Sequence, residues 1–102
     1  MNTAEKLQAA ISGEARPVLV EFYADWCPHC QRMMPIVDQL RQEVGGKADI
    51  IQIDGDKNPD LMEKYHARVY PTWILFKDGQ EAWRDSGDKP LSELKDMIDR
   101  FA

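Results

Sequence analysis

The chain has 102 residues, 43% of them apolar, enough for one domain to bury a core without disulfide or metal staples. Its formal net charge is −5 with no basic cluster, which argues against nucleic acid or an anionic membrane as partner. No apolar run approaches a membrane span, and the first twenty residues, with Glu5, Lys6, Glu14 and Arg16, do not read as a secretory leader. A cytoplasmic setting is therefore expected, or a periplasmic or secreted one if a leader was removed.

Asn2-Thr3-Ala4-Glu5 has the form of a capping box, and Leu7, Ala10 and Ile11 make an apolar stripe that Gly13 ends, so a first helix is predicted there. Pro17 opens a strand over Val18–Tyr23 whose apolar run implies burial on both faces. A second helix starts near Cys27, with Pro28 in its first turn, and carries Met33, Val37, Leu40 and Val44 on one face. Pro35 predicts a kink rather than an end, and Gly45-Gly46 a stop. Ile50–Ile53 reads as a strand parallel to the first. Asn58-Pro59 starts a short helix running to about His66. The strands Thr72–Phe76 and Glu81–Arg84 flank Asp78-Gly79, a hairpin signal. A last helix presents Leu91, Leu94, Ile98 and Phe101. The order α-β-α-β-α-β-β-α predicts one domain over residues 1–102.

Cys27 and Cys30 are the only cysteines, and they stand two residues apart where a strand gives way to a helix. That placement reads as a thiol–disulfide redox pair, because one helical turn brings the sulfurs within bonding range. The first sulfur then lies at the helix tip among unpaired backbone N–H groups, which favour a thiolate. Cys27 is expected to be exposed and to attack, while Cys30, one turn deeper, is expected to be more buried and to resolve the mixed disulfide. Competing readings are weaker. Cys27, Cys30, His29 and His66 lack zinc-finger spacing, and Gln31 stands where a c-type haem motif needs histidine. His29, between the cysteines, is placed to stabilise the Cys27 thiolate. His66 and the indoles of Trp73 and Trp83 read as structural. Glu21 interrupts an apolar strand, and a buried carboxylate needs a partner or a task.

Together with Tyr70-Pro71-Thr72 before the apolar run Trp73–Phe76 and the turn Lys77–Gln80, the Trp26-Cys27-Pro28-His29-Cys30 segment resembles the thioredoxin superfamily from about Val18 to the C-terminus. The resemblance implies an α/β thioredoxin-like fold: a central mixed four-stranded sheet with helices on both faces, here lacking the extra N-terminal strand common in the family. It implies that Pro71 is a cis-proline facing the sulfurs, that Trp26, Pro28, Tyr70 and Pro71 line a substrate surface, and that Glu21 takes the place of the family's buried acidic residue, usually aspartate, which manages the resolving cysteine's proton. Ile50 is expected where the family often has lysine on the next strand. The implied activity is protein-disulfide reduction or exchange by a monomer that needs no cofactor and works with protein thiols and disulfides and a recycling redox partner. The Cys-Pro-His-Cys choice resembles that of bacterial periplasmic enzymes that introduce disulfides, so an extracytoplasmic oxidase or isomerase is the alternative. A redox-sensitive binding module without turnover is another.

Overall fold

The computed structural model describes residues 2–13 and 15–102; Met1 and Glu14 lie outside the described residues. Helix α1 runs over Thr3–Gly13, and the capping box forms: the Glu5 amide donates to Asn2 Oδ1 at 2.8 Å and the Asn2 amide to Glu5 Oε1 at 3.3 Å. Strand β1 is Val18–Tyr23, helix α2 Pro28–Val44, strand β2 Asp49–Asp54 and helix α3 Pro59–Lys64. Strands β3 (Thr72–Lys77) and β4 (Gln80–Ser86) precede helix α4 (Leu91–Phe101). A single turn of 3₁₀ helix at Gly45–Lys47 follows α2.

Strands β2 and β3 each run one residue past expectation, to Asp54 and Lys77, and two further elements end differently for a local reason. Helix α3 stops at Lys64 rather than near His66, because His66 takes a left-handed backbone with φ of 57°. Arg84 of β4 then holds the freed carbonyls, donating to Tyr65 O at 2.6 Å and His66 O at 3.2 Å. Strand β4 extends to Ser86 because a register shift opposite Leu75/Phe76 lets pairing continue past it. At the hairpin tip Asp78 and Gly79 both have positive φ, 53° and 79°, as a two-residue type I′ turn requires.

The sheet order is β2-β1-β3-β4, with β1 parallel to β2 and antiparallel to β3, and β3 antiparallel to β4. Alternation along β1 divides the interior in two. Leu19 points to the side of α2 and α4, where it meets Met33, Val37, Leu40, Ile50, Trp73, Leu75, Leu94 and Ile98. Val18, Val20 and Phe22 point to the other side, against Leu7 and Ile11 of α1 and Leu61 of α3. Helix α2 buries Cys30, Met33, Val37, Leu40 and Val44, the stripe its spacing predicts, and each large aliphatic there contributes about 1.5–3 kcal/mol by leaving water. It continues through Pro35, which faces solvent, so the Gln31 carbonyl that Pro35 cannot satisfy is not sealed in the core. The same sheet face that seats α2 carries Glu21, and this puts a carboxylate behind the helix start.

Candidate active site

Cys27 is the residue before α2, with extended backbone (φ −81°, ψ 120°), and Pro28 takes the first helical position, where its missing N–H costs nothing. Both cysteines are free thiols. The expected contrast in exposure is small: Cys27 is 5% exposed and Cys30 3%. The cause is Tyr70, which packs with Tyr23 against the cluster of Ala24, Cys27 and Cys30. Cys27 Sγ lies 3.8 Å from the Tyr70 carbonyl oxygen, and the Tyr70–Pro71 peptide is cis. Burial pushes the Cys30 thiol up to about 12; a backbone hydrogen bond from Ala24 opposes this, and Cys27 and Glu21 add to it. Cys30 is thereby held as a thiol at neutral pH.

Glu21 is 1% exposed, and burial raises its carboxyl from 4.5 to about 7, against the opposing pull of a Gln52 hydrogen bond and the Arg41 charge. The expectation for the neighbouring strand needs correction. Ile50 pairs with Leu19; the residue beside Glu21 is Gln52, whose Nε2 donates to Glu21 Oε1 at 2.9 Å. The two-residue offset follows from β2 beginning at Asp49, opposite Val18. Neither Gln52 nor its own partner Arg41 belongs to a sequence motif. A signal existed: Gln52 interrupts its apolar strand as Glu21 does its own, and interruptions on paired strands tend to meet, since each needs a polar partner.

His29 does not turn its ring to Cys27. Its Nδ1 lies 2.7 Å from Asp88 Oδ1 and 2.7 Å from Arg32 Nη2, while Arg32 Nε donates to Asp88 Oδ2 at 2.9 Å. The side chain is 56% exposed, because position 29 lies on the solvent face of α2 and the loop after β4 brings Asp88 to it. Asp88 is held below the usual carboxylate range by hydrogen bonds from Arg32 and His29.

On the other side of the sulfurs, Trp26 is 64% exposed and meets Tyr70 edge to face, with ring centroids 5.9 Å apart. Asp56, unremarked in the sequence, joins the two: it accepts from Trp26 Nε1 at 2.6 Å and from the Tyr70 hydroxyl at 2.9 Å. Burial first, then Asp56, raises the phenol to about 12. Gly55 makes room for this ring. A Cβ there would come within 2.5 Å of Tyr70 Cε1, closer still to its hydroxyl, and within 2.8 Å of Met62 Sδ. Beyond Tyr70, His29, Arg32, Val69, Ser86 and Asp88 line an open depression of about 440 Å³. Val69, on the wall of this depression, is 53% exposed. Trp73 and Trp83 lie in or against the core, with Trp73 Nε1 donating to the Gly87 carbonyl at 2.9 Å.

A dithiol at a helix start can accept a disulfide from a partner and pass it on, so fold and site together define a thiol–disulfide oxidoreductase. The thioredoxin family model matches residues 1–100. A thioredoxin from Staphylococcus aureus is 39% identical over 82 residues, 80% of this chain and 79% of that protein. The chloroplastic thioredoxin Y of rice is 37% identical over 84 residues, covering 82% of this chain but only half the length of the rice protein. Among solved structures, a mutant thioredoxin from Halobacterium salinarum superposes with a TM-score of 0.86 at 35% identity, covering 95% of this chain and 83% of that one. The chain belongs to the thioredoxin family. Among the described residues no helix is long and apolar enough to cross a membrane.

Proposed function

We propose that this protein reduces or exchanges disulfides of partner proteins, with Cys27 as nucleophile and Cys30 as resolving thiol. The Cys27 thiolate attacks one sulfur of the partner's disulfide; that bond breaks, and the other partner sulfur leaves as a thiolate. Cys30 gives up its proton and attacks Cys27, forming the Cys27–Cys30 disulfide and releasing the second partner sulfur. Glu21 is the base that receives the Cys30 proton. Two electrons have then passed to the partner, and a recycling redox protein returns them. Trp26, Pro28 and Tyr70 form the surface on which an extended partner segment lies, with Pro71 buried beneath it.

The observation that carries this reading is the setting of Cys30: burial keeps it protonated beside Glu21, a buried carboxyl itself pushed up to about 7. An oxidase role drew its support from His29, whose ring is taken by Asp88 and Arg32. We place the protein, as a monomer of one domain, in the cytoplasm, where thiols are kept reduced. The test is trapping. Cys30→Ser should accumulate mixed disulfides through Cys27, and Cys27→Ser should form none; equal trapping by both would reject the assigned order. A protein that binds partners without catalysing turnover of a disulfide substrate would be a binding module instead.

A further inference from the structure

The hydrogen bonds behind Glu21 form a chain with a direction. Arg41, on α2, spans to β2 with a forked guanidinium. Nη1 donates to the Ile50 carbonyl at 2.5 Å, and Nη2 donates to Gln52 Oε1 at 3.0 Å. Gln52 Nε2 then donates to Glu21 Oε1 at 2.9 Å. A guanidinium has only donors, so it accepts nothing from an amide NH₂. With Arg41 in place the Gln52 amide has one orientation: oxygen toward the guanidinium, nitrogen toward Glu21. Reversing it would set N–H against N–H at one end and two oxygens together at the other.

This orientation treats the two carboxyl oxygens of Glu21 unequally. Oε1 is occupied by an N–H donor. Oε2, also buried, has no hydrogen-bond partner and is the one such side-chain atom among the described residues. A proton arriving at Glu21 is therefore directed to Oε2, since protonating Oε1 would oppose the Gln52 donor. We propose that Arg41 and Gln52 are positioning residues for the resolving step: they fix the Gln52 amide so that Glu21 exchanges its proton at Oε2. The proposal rests on the reading of Glu21 as the base for Cys30.

The charged and titratable groups around Glu21 are few. Helix α2 supplies Arg41 and Cys30, and β1 supplies Tyr23, two residues along the same face. Strand β2 offers uncharged Gln52, and β3 places Trp73 opposite. Among the described residues, Arg41 is thus the one cation facing Glu21. Removing it frees the amide to turn its oxygen toward a protonated Glu21, which favours the neutral acid and places its proton on Oε1.

The experiment compares the reduced wild type with Arg41→Met, Gln52→Leu and Arg41→Lys. It follows the Glu21 carboxyl by carbon-detected NMR across pH, and release from the mixed disulfide by single-turnover kinetics across the same range. Arg41→Met and Gln52→Leu should each raise the Glu21 midpoint by about one pKa unit, the effect of losing a hydrogen bond to the charged form. The pH profile of release should move up with it, so that release near pH 7 slows several-fold. Arg41→Lys, which restores a donor for Gln52 Oε1, should recover most of the midpoint. Unchanged Glu21 midpoints in both Arg41→Met and Gln52→Leu would overturn the proposal. If the midpoints move while the release profile stays, the alignment of Glu21 stands and the role of Glu21 in resolution fails.

Discussion

Replacing Glu21 with glutamine should change how stability depends on pH, in a direction the burial of Glu21 dictates. In the folded protein the carboxyl titrates at about 7 against an ordinary 4.5, because burial disfavours its charge. The folded state thus binds more protons than the unfolded state between those values, and stability falls as pH rises through the window. The contribution is fully present below the unfolded value and is lost as pH passes the folded one. At 1.36 kcal/mol per pKa unit the loss is about 3 kcal/mol, a large share of a typical small domain's stability. Glutamine has nearly the same shape, keeps an oxygen for Gln52 Nε2 and carries no charge. The assay is urea unfolding of reduced wild type and Glu21→Gln at half-unit steps from pH 4 to 9. Cys30, whose thiol is pushed up to about 12 by burial, adds its own slope near pH 9 in both proteins. Groups common to both proteins cancel in the difference. The variant should gain on the wild type as pH rises, by about 3 kcal/mol between pH 4 and 9, with the change centred between 4.5 and 7. Parallel curves would refute the reasoning, because the carboxyl would then not be desolvated.

Other consequences are checked more simply. Alkylation of the reduced protein at pH 8 should modify one thiol per chain, at Cys27, and both thiols only in denaturant; mass spectrometry reads this directly, and fast labelling of Cys30 in Cys27→Ser would contradict it. His29→Ala should move the reduction potential by less than about 20 mV, since 30 mV corresponds to 1.4 kcal/mol and an exposed ion pair contributes under about 1 kcal/mol; equilibration with glutathione measures it. Gly55→Ala should cost about 1–3 kcal/mol by overpacking and displace Tyr70, visible as altered near-ultraviolet dichroism and weakened partner trapping.

Most of the fold was legible because its elements announce themselves locally. The capping residues of α1, the apolar stripe of α2, the Asp78-Gly79 turn and the unbroken run of β1 each need only a few neighbouring residues to specify them. The end of α3 was not legible, since His66 takes a positive φ that Arg84, eighteen residues away, helps to hold by binding the last carbonyls. The same division runs through the site. Cys27, Cys30, Glu21 and Pro71 stand out by type and local context. The partners of Glu21 depend on strand register, which local pattern leaves open by two residues, so that Ile50 was expected where Gln52 stands. The partner of the His29 ring was hidden for a related reason: Asp88 is 59 residues away and reaches it only once the β4–α4 connection is folded.

The fit of Tyr70 over Gly55 makes two positions fifteen residues apart a single unit of variation. Neither residue can be exchanged on its own terms. A side chain at 55 is barred while the ring is present, and a small residue at 70 leaves unfilled space above a bare backbone and strips Asp56 of one donor. The cheap path between this arrangement and an ordinary one changes both positions together, and the two single changes should be strongly non-additive. Transplanting Tyr70 into another protein of this fold would therefore fail unless the glycine travels with it.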